Sequence, residues 1–145
     1  MTVRGLDVVV GNLHKYSEAV QQAVVDTNNE TAQAVRTTAI KKVQRSPATG
    51  IVYEKYNPRR THQASSPKNP PRSDTGRLAS AINTALGTKA SPVARVGVEY
   101  GVDYGFWLEF GTRHIEERPF MIPSLMENKD NYLRIMRRNI QKATK

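Results

Sequence analysis

Cysteine is absent from the sequence, and its absence excludes three kinds of chemistry. Without thiols the chain forms no disulfide framework, has no thiol nucleophile and offers a metal no thiolate ligand. We therefore expect the 145 residues to fold as one domain on a hydrophobic core alone, which a chain of that length is able to build.

Long apolar runs are missing as well. Near the N-terminus the longest run is Val8, Val9 and Val10, too short for the apolar region of a secretory signal. No stretch approaches the roughly 20 apolar residues that a membrane helix requires. We expect a soluble protein made in the cytoplasm, with no membrane partner.

Catalytic and cofactor motifs are also missing. The sequence has neither a Gly-x-Ser-x-Gly elbow nor a phosphate-binding loop. Among the histidines, His114 has an acid, Glu117, at a spacing that suits a metal, and a solvated surface explains one such pair better. We predict no catalytic residues, no cofactor and no metal site, and therefore a protein that is not an enzyme.

Glu109 is the carboxylate that most resembles a catalytic group, because it lies among aromatic residues. An acid in such surroundings is either a general acid with a raised pKa or a structural group. As a structural group it accepts backbone hydrogen bonds or pairs with Arg113 or Arg118. The structural alternative is favoured, since no second catalytic group lies beside it. Its aromatic neighbours are predicted as core: Phe106, Trp107 and Phe110.

Residues 12–46 contain neither glycine nor proline, and small or apolar residues recur there in steps of three and four. This spacing predicts a long amphipathic helix, with a bend at Asn28 and Asn29. Its buried positions are Val20, Val24, Thr27, Thr31, Val35, Ala39 and Val43.

Residues 47–73 hold five of the eight prolines and predict an extended loop or arm, because proline interrupts both helices and strand ladders. Ile51 to Tyr53 is a candidate edge strand at its base. The arm is basic, with six Lys or Arg against two acids between Glu54 and Arg77.

The remainder of the chain combines short strands with a final helix. Residues 78–85 are either helix or strand, and alternation over 93–100 predicts a half-buried strand. A last helix starts near Pro123, with an apolar stripe made of Ile122, Leu125, Met126, Tyr132, Leu133, Met136 and Ile140. Its other face is basic, with Lys129, Arg134, Arg137, Arg138, Lys142 and Lys145. The predicted fold class is α+β: long N-terminal and C-terminal helices packed on a small, mostly antiparallel sheet.

A net charge of +9 favours contact with polyanions, either nucleic acid or acidic protein surfaces. Composition does not choose between these two partners. The candidate DNA-facing or partner-facing cations are Arg59, Arg60, Lys68, Arg72, Arg134, Arg137 and Arg138.

Three pieces of sequence in order resemble one family. They are the proline-rich stretch leading into Asp74-Thr75-Gly76-Arg77-Leu78, the window Tyr104 to Thr112 with Leu-Glu-Phe-Gly-Thr, and Arg118-Pro119-Phe120 before the final helix. The chain resembles the minor tail-component or neck (tail-completion) family of lambdoid-type long-tailed bacteriophages and prophages. The residues that carry the likeness are Thr75, Gly76, Leu78, Tyr104, Leu108, Glu109, Phe110, Gly111, Thr112, Arg118, Pro119 and Phe120.

The resemblance implies a structural subunit of the virion at the head–tail junction, assembled in the bacterial cytoplasm. It implies a homomeric ring around the DNA channel, with six copies favoured over twelve. The partners are then copies of itself, connector or head-completion proteins and tail-tube proteins, with transient non-specific contact to genomic DNA. Tail completion and tail termination remain open as alternative positions.

The same resemblance gives structural roles to the motif residues. Gly111 supplies backbone freedom at a corner, Thr112 caps the next segment, and Phe120 anchors the entry to the last helix. Two other functions remain as alternatives: a basic nucleic-acid-binding protein that forms no ring, and, more remotely, an acid–base hydrolase centred on Glu109.

Overall fold

The structure, a computed structural model, describes residues 6–144. Its first element is a single helix, α1 (Leu6–Arg45), whose 40 residues span about 60 Å at the usual rise. The helix is unbroken at Asn28 and Asn29, where the sequence predicts a bend. Both side chains instead hold a distant loop: Asn28 donates to the Pro92 carbonyl at 2.6 Å, and Asn29 bonds both the amide and the carbonyl of Gly87.

The two ends of α1 have different surroundings. Residues 7–18 are exposed on every side, whereas from residue 19 onward one face of the helix is packed against the rest of the protein. The first turns of α1 therefore project from the body of the protein. Five predicted core positions are buried: Thr27, Thr31, Val35, Ala39 and Val43.

A β hairpin follows, made of β1 (Val52–Tyr56) and β2 (Arg59–Gln63), paired antiparallel with Val52 opposite Gln63. Backbone hydrogen bonds between residues 50–51 and Ala64 extend the pairing at its base. The segment 47–73 thus contains regular structure where the sequence predicts a loop or extended arm. Val52 and Tyr53 of the candidate edge strand lie in β1, and Ile51 lies just outside it.

The rest of the chain forms a short helix, a second pair of strands and three more helices. These are α2 (Arg77–Ser80), β3 (Ile82–Ala85), β4 (Arg95–Val98), α3 (Tyr104–Phe110), α4 (Met121–Glu127) and α5 (Lys129–Ala143). Strands β3 and β4 pair antiparallel, with Ile82 opposite Val98. Residues 78–85 therefore contain both alternatives, a helix and then a strand. The α+β fold class is confirmed, although the strands form two separate pairs and not one sheet.

The main core lies where α1, α2, β3 and the start of α4 meet. Its largest fully buried side chains are Phe120, Ile82 and Val43. A second packed seam joins α1 to α5, its most extensive helical partner. There Asn139 donates to the hydroxyl of Thr27 at 3.1 Å, and Asn128 to the hydroxyl of Thr38 at 3.1 Å.

The predicted last helix has Pro123 in its first turn, but it is interrupted at Asn128, so α4 and α5 are separate elements. The predicted apolar stripe is correct only in part, with Tyr132, Met136 and Ile140 half-buried. The buried residues are Ser124, Asn128 and Ile135. Four large residues of the predicted stripe are exposed instead: Ile122, Leu125, Met126 and Leu133. Lys145 of the predicted basic face lies outside the described residues.

Candidate assembly interface

Helix α3 has the reverse of the usual burial pattern: a glycine and an acid are buried, and its aromatic side chains are exposed. It buries Gly105 and Glu109, while Phe106, Trp107 and Phe110 are 65%, 50% and 56% exposed. The prediction that these aromatics belong to the core is therefore wrong. The rings of Phe106 and Phe110 pack on each other with centroids 4.8 Å apart, so the exposed side of α3 is a continuous aromatic surface.

Gly105 explains why the aromatics point outward. A Cβ at this position would lie 3.2 Å from Leu78 Cδ1 and 3.2 Å from Val98 Cγ2, closer than packed carbons sit. The α3 backbone therefore rests directly on the core through its glycine. A larger side chain does not fit at this position, and the aromatics lie on the opposite side of the helix.

Glu109, the other buried residue of α3, caps the next helix. Its carboxylate accepts backbone hydrogen bonds from Phe120 at 2.7 Å, Met121 at 2.9 Å and Ile122 at 2.8 Å. These amides begin α4 and have no partner within the helix, and a carboxylate at a helix N-terminus also suits the helix dipole. Of the alternatives that the sequence leaves open, the structure shows backbone hydrogen bonding and, within residues 6–144, no ion pair with Arg113 or Arg118.

A tight loop from Gly111 to Arg118 brings the cap to its helix. Gly111 has φ 70° and ψ 177°, a conformation that is accessible essentially only to glycine. The Thr112 hydroxyl accepts hydrogen bonds from the amides of His114 at 3.2 Å and Ile115 at 3.1 Å. The amide of Arg118 then donates to the Leu108 carbonyl at 2.6 Å, which closes the loop against α3.

Pro119 is partly buried beside the fully buried Phe120.

Asp74 fixes the β hairpin to the body of the protein. Its carboxylate binds Lys55, Arg60 at 3.0 Å and His62 at 3.5 Å, and all three side chains belong to the two paired strands of the hairpin. The hydrogen bond from Lys55 is the main reason that the pKa of Asp74 lies below its usual value. Burial lowers the pKa of His62, partly opposed by the charge of Asp74.

The residues after Asp74 turn the chain into α2. Thr75 is exposed, and Gly76, with φ 79°, occupies the position before the helix. The amide of Gly76 donates to the Ser73 hydroxyl at 3.1 Å, which fixes the turn. Leu78 is buried beneath α3, whereas Tyr104, the first residue of α3, is 37% exposed and so lies at the edge of the aromatic surface.

The predicted partner-facing cations fall into two groups on different elements. At the hairpin, Arg59 is exposed, Arg60 is held by Asp74, Arg72 donates to the Gln63 carbonyl at 3.3 Å, and Lys68 lies in a turn with φ 67°. On α5, Arg138 pairs with Glu30 at 2.5 Å and Arg134 donates to Asn131 at 2.8 Å. Within residues 6–144, Arg137 forms neither a hydrogen bond nor an ion pair with another side chain.

A cleft of about 600 Å³ runs between β4 and the helices α3 and α4. Its walls include Phe106, Phe110, Ile122 and the backbone of β4. A second apolar groove, of about 500 Å³ between α1, β4 and α4, shares Val96, Met121 and Ile122 with it. The two depressions therefore form one apolar surface along β4.

Within residues 6–144, the edge of β4 that faces away from β3 carries backbone groups without a hydrogen-bond partner. The Glu99 amide donates to the Ala81 carbonyl at 2.9 Å, and this bond shows which residues of β4 direct their backbone groups toward β3. Because ladder bonds alternate in an antiparallel pair, the amides and carbonyls of Val96 and Val98 point the other way. Ile82, which lies opposite Val98, agrees with this alternation. Its carbonyl points away from β4 and accepts a hydrogen bond from Arg36 at 2.7 Å.

Two further observations on the described part of the chain concern metal ligands and membrane-spanning helices. No group of three or more His, Asp or Glu there is arranged to hold a metal. His114 accepts a hydrogen bond from Arg113 at 2.9 Å. None of the described helices is both long and apolar enough to cross a bilayer.

Sequence reasoning missed three parts of this surface: the contact of Gly105 with the core, the ion pairs of Asp74 and the cleft beside β4. The signal for the first was a glycine inside the most aromatic window of the chain. The other two depend on contacts between distant segments, which have no local signature.

The comparisons with known proteins gave one finding. The family model described as "Bacteriophage HK97-gp10, putative tail-component" matches residues 7–111. The match runs from the first turns of α1 through α3 and includes Glu109 and Gly111, whereas Arg118, Pro119 and Phe120 lie beyond it. No curated protein and no solved structure matches the chain.

Proposed function

We propose, because the chain belongs to this HK97-gp10-like family of bacteriophage tail components, that it is a neck or tail-completion subunit. In this proposal several copies form a closed ring around the DNA channel at the head–tail junction. The ring docks to connector proteins on one side and to tail-tube proteins on the other. The role is structural, and the chain catalyses no reaction.

The observation that supports an assembly role is the exposure of the aromatic side chains of α3. A helix that exposes three large aromatics beside an apolar cleft leaves a surface that is unfavourable in water. Aromatic residues are also those that most often anchor protein interfaces. Such a surface is expected of a subunit that is covered by a neighbour in its working state.

Two further features suit a ring. A ring repeats one pair of unlike patches in every copy, and this chain has distinct surfaces on α3 and α5. The positive charge suits a channel through which DNA passes, because attraction to phosphates requires no sequence recognition.

The first experiment is native mass spectrometry of the purified chain, alone and after mixing with a lysate of tails that lack it. We expect the chain to enter the tail particles as a discrete multimer, most simply six copies of 16.2 kDa. The matched control is a Phe106→Asp chain, which places a charge on the aromatic surface without touching the core. A wild-type chain that ignores the tails would contradict the proposal.

One observation favours the alternative of non-specific DNA binding. Arg59 and Arg137 are exposed, and within residues 6–144 neither forms an ion pair, so both are available to phosphates. This alternative predicts retention on duplex DNA of any sequence that falls steeply with salt. A monomer that binds DNA in this way and leaves tails unchanged would replace the ring proposal with the alternative.

A further inference from the structure

We propose that neighbouring copies meet head to tail, with the aromatic surface of α3 on one copy covering the outer side of α5 on the next. The inference rests on the proposed ring and names the two surfaces that form its contact. The acidic aromatic face is defined by Glu99, Tyr100, Asp103, Phe106 and Phe110. The basic face of α5 is defined by Leu133, Arg134 and Arg137.

The acidic aromatic face differs in charge from the rest of the protein. No Lys or Arg occurs between Val96 and Thr112, in a chain whose net charge is +9. Glu99 and Asp103 are exposed at the mouth of the cleft, and the Tyr100 side chain is fully exposed. One cation reaches the loop beside this face: Arg77 donates to the Gly101 carbonyl at 3.4 Å.

The basic face of α5 has the opposite character. Leu133 is 56% exposed, and Arg137 lies four positions after Leu133 and three after Arg134. Residues at these spacings are neighbours on the surface of a helix. The result is an exposed leucine close to two guanidinium groups. Only Arg134 of these two has a side-chain hydrogen bond within residues 6–144, to the neutral amide of Asn131.

The two faces fit each other chemically. Guanidinium groups stack on aromatic rings and pair with carboxylates, and the acidic aromatic face presents both. The leucine has the apolar cleft beside β4 as its counterpart. Charged groups that face their opposites also steer association.

Charge also selects the symmetry of the contact. Two acidic aromatic faces placed against each other would bring Glu99 and Asp103 near their own copies, and two basic faces would do the same with their arginines. Like charges in contact are unfavourable, so neither face pairs well with itself. An unlike pair of faces generates a ring or a filament, not a twofold dimer. The same acidity disfavours DNA as the occupant of the α3 face.

The test is a charge swap followed by sedimentation velocity at low salt. Asp103→Lys and Arg137→Glu are each expected to weaken self-association at least tenfold, roughly the effect of disrupting one close interfacial ion pair. A chain that carries both substitutions is expected to associate again, within about threefold of wild type. Neither side chain has a hydrogen-bond partner in the described part of the chain, so both single variants should keep the fold, which circular dichroism checks.

Mixing the two single variants gives a second, independent readout. In a head-to-tail arrangement an equal mixture restores both kinds of contact, because the introduced lysine of one variant faces the introduced glutamate of the other in one contact, and the native pair forms the next. Alternating rings with an even number of copies should appear in the mixture and in neither variant alone. The matched controls are Glu116→Lys and Lys89→Glu, which reverse exposed charges on other surfaces and should leave association unchanged.

The outcomes separate this inference from the proposed function. A wild-type chain that stays monomeric at millimolar concentration and low salt, or association that ignores both reversals, overturns the head-to-tail contact. If the chain fails this test of the head-to-tail contact but still enters tails as a ring, the proposed function stands and only the contact is overturned. If the swap behaves as expected but no variant enters tails, the contact stands and the proposed function fails.

Discussion

At the scale of single residues, Glu109 connects two parts of the chain that the sequence presents as separate motifs. The carboxylate lies in the Leu-Glu-Phe-Gly-Thr stretch, and the amides that it binds lie in the Arg-Pro-Phe stretch and the two residues after it. Its side chain is buried, so these hydrogen bonds form away from water. The acid among aromatics is thus a helix cap. The sequence predicts a structural role for it, either backbone hydrogen bonding or an ion pair with an arginine, but does not identify the helix.

Glu109→Ala is expected to lower the free energy of unfolding by about 3 kcal/mol, because it leaves buried amides at the start of α4 without an acceptor. Glu109→Gln keeps one acceptor oxygen but turns an amide donor toward other donors, and should cost about half as much. Urea denaturation measures both. Glu116→Ala, at an exposed position, is the control and should stay within about 0.5 kcal/mol of wild type. A Glu109→Ala chain as stable as that control would contradict the capping role.

Gly111 allows a comparison of two glycines in one chain. At Gly111 a Cβ would meet the Glu117 amide and the Ile115 carbonyl at 3.0 Å, and φ is +70°. Gly111→Ala should therefore destabilise by about 3 kcal/mol, and Gly111→Val should prevent folding or assembly. Gly11→Ala is the matched control: it lies inside α1 with nothing within 4 Å, and should stabilise the helix by about 0.5–1 kcal/mol. Thermal unfolding of both chains tests the contrast, and a soluble, assembly-competent Gly111→Val subunit would count against it.

At the scale of elements, the hairpin shows what composition did not reveal. Five prolines and a high charge predicted an irregular arm, but only Pro58 lies between β1 and β2, where the chain turns and needs no ladder donor. The other four lie outside the strands. The strand residues Val52, Tyr53 and Tyr56 have the β-branched and aromatic character that strands favour. The attachment of the hairpin to Asp74 depends on contacts with a later segment of the chain, which local pattern does not contain.

Acidification should loosen the hairpin in two steps. The pKa of His62 is lowered in the folded state, so the unfolded chain binds the proton more readily and stability falls as the pH drops below 6.5. The pKa of Asp74 is also lowered, so its contribution is present at neutral pH and is lost below about pH 4. Melting temperature measured from pH 8 to pH 3 should show both declines.

Two substitutions test whether His62 and Asp74 cause the two declines in stability. His62→Gln should flatten the decline below pH 6.5, and Asp74→Asn should destabilise by about 1 kcal/mol at pH 7, the size expected for partly exposed ion pairs. His14→Gln, away from the hairpin on α1, is the substitution control. A pH profile for His62→Gln that coincides with wild type would assign the upper step to another group.

Helix α3 shows the limit of pattern reading at the same scale. The sequence marks the window from Tyr104 to Thr112 as a motif and, through the family resemblance, places a corner at Gly111. The direction in which the aromatics point was not, because apolar residues are assigned to the core by default. The aromatics face outward because Gly105 lies close to Leu78 and Val98. No spacing within the window encodes that contact. Regular period therefore predicted α1, whereas for α3 the assignment of the aromatics to the core was wrong.

At the scale of the whole molecule, Trp107 offers a natural probe of assembly, since it is the single tryptophan and is half exposed on α3. In the free chain its fluorescence should resemble that of a solvated indole and be readily quenched by acrylamide. If neighbours cover α3 in the assembled state, the emission should shift to the blue and the quenching should fall. The comparison is between free chain and chain recovered from tail particles. Identical spectra in the two states would mean that α3 remains uncovered.

The α+β class, the long first helix and the strand at 93–100 could be predicted from the sequence, because each follows a local period. The apolar stripe of the last helix could not. Its exposed members, such as Leu125 and Leu133, obey the same helical spacing as core residues. A chain that keeps apolar residues for its neighbours carries two overlapping patterns, one for folding and one for assembly. The sequence alone does not separate them.

The packing of α1 against α5 has a consequence for the order of events during synthesis. Helix α1 has its most extensive helical partner in α5, which is synthesised much later, so the seam between them stays open until α5 has left the ribosome. A chain cut short before α5 would leave Thr27 without the hydrogen bond that its hydroxyl accepts from Asn139, at a position that is fully buried in the folded protein. Such a chain should be cleaved by proteases more readily than one that includes α5, because the seam along α1 remains open.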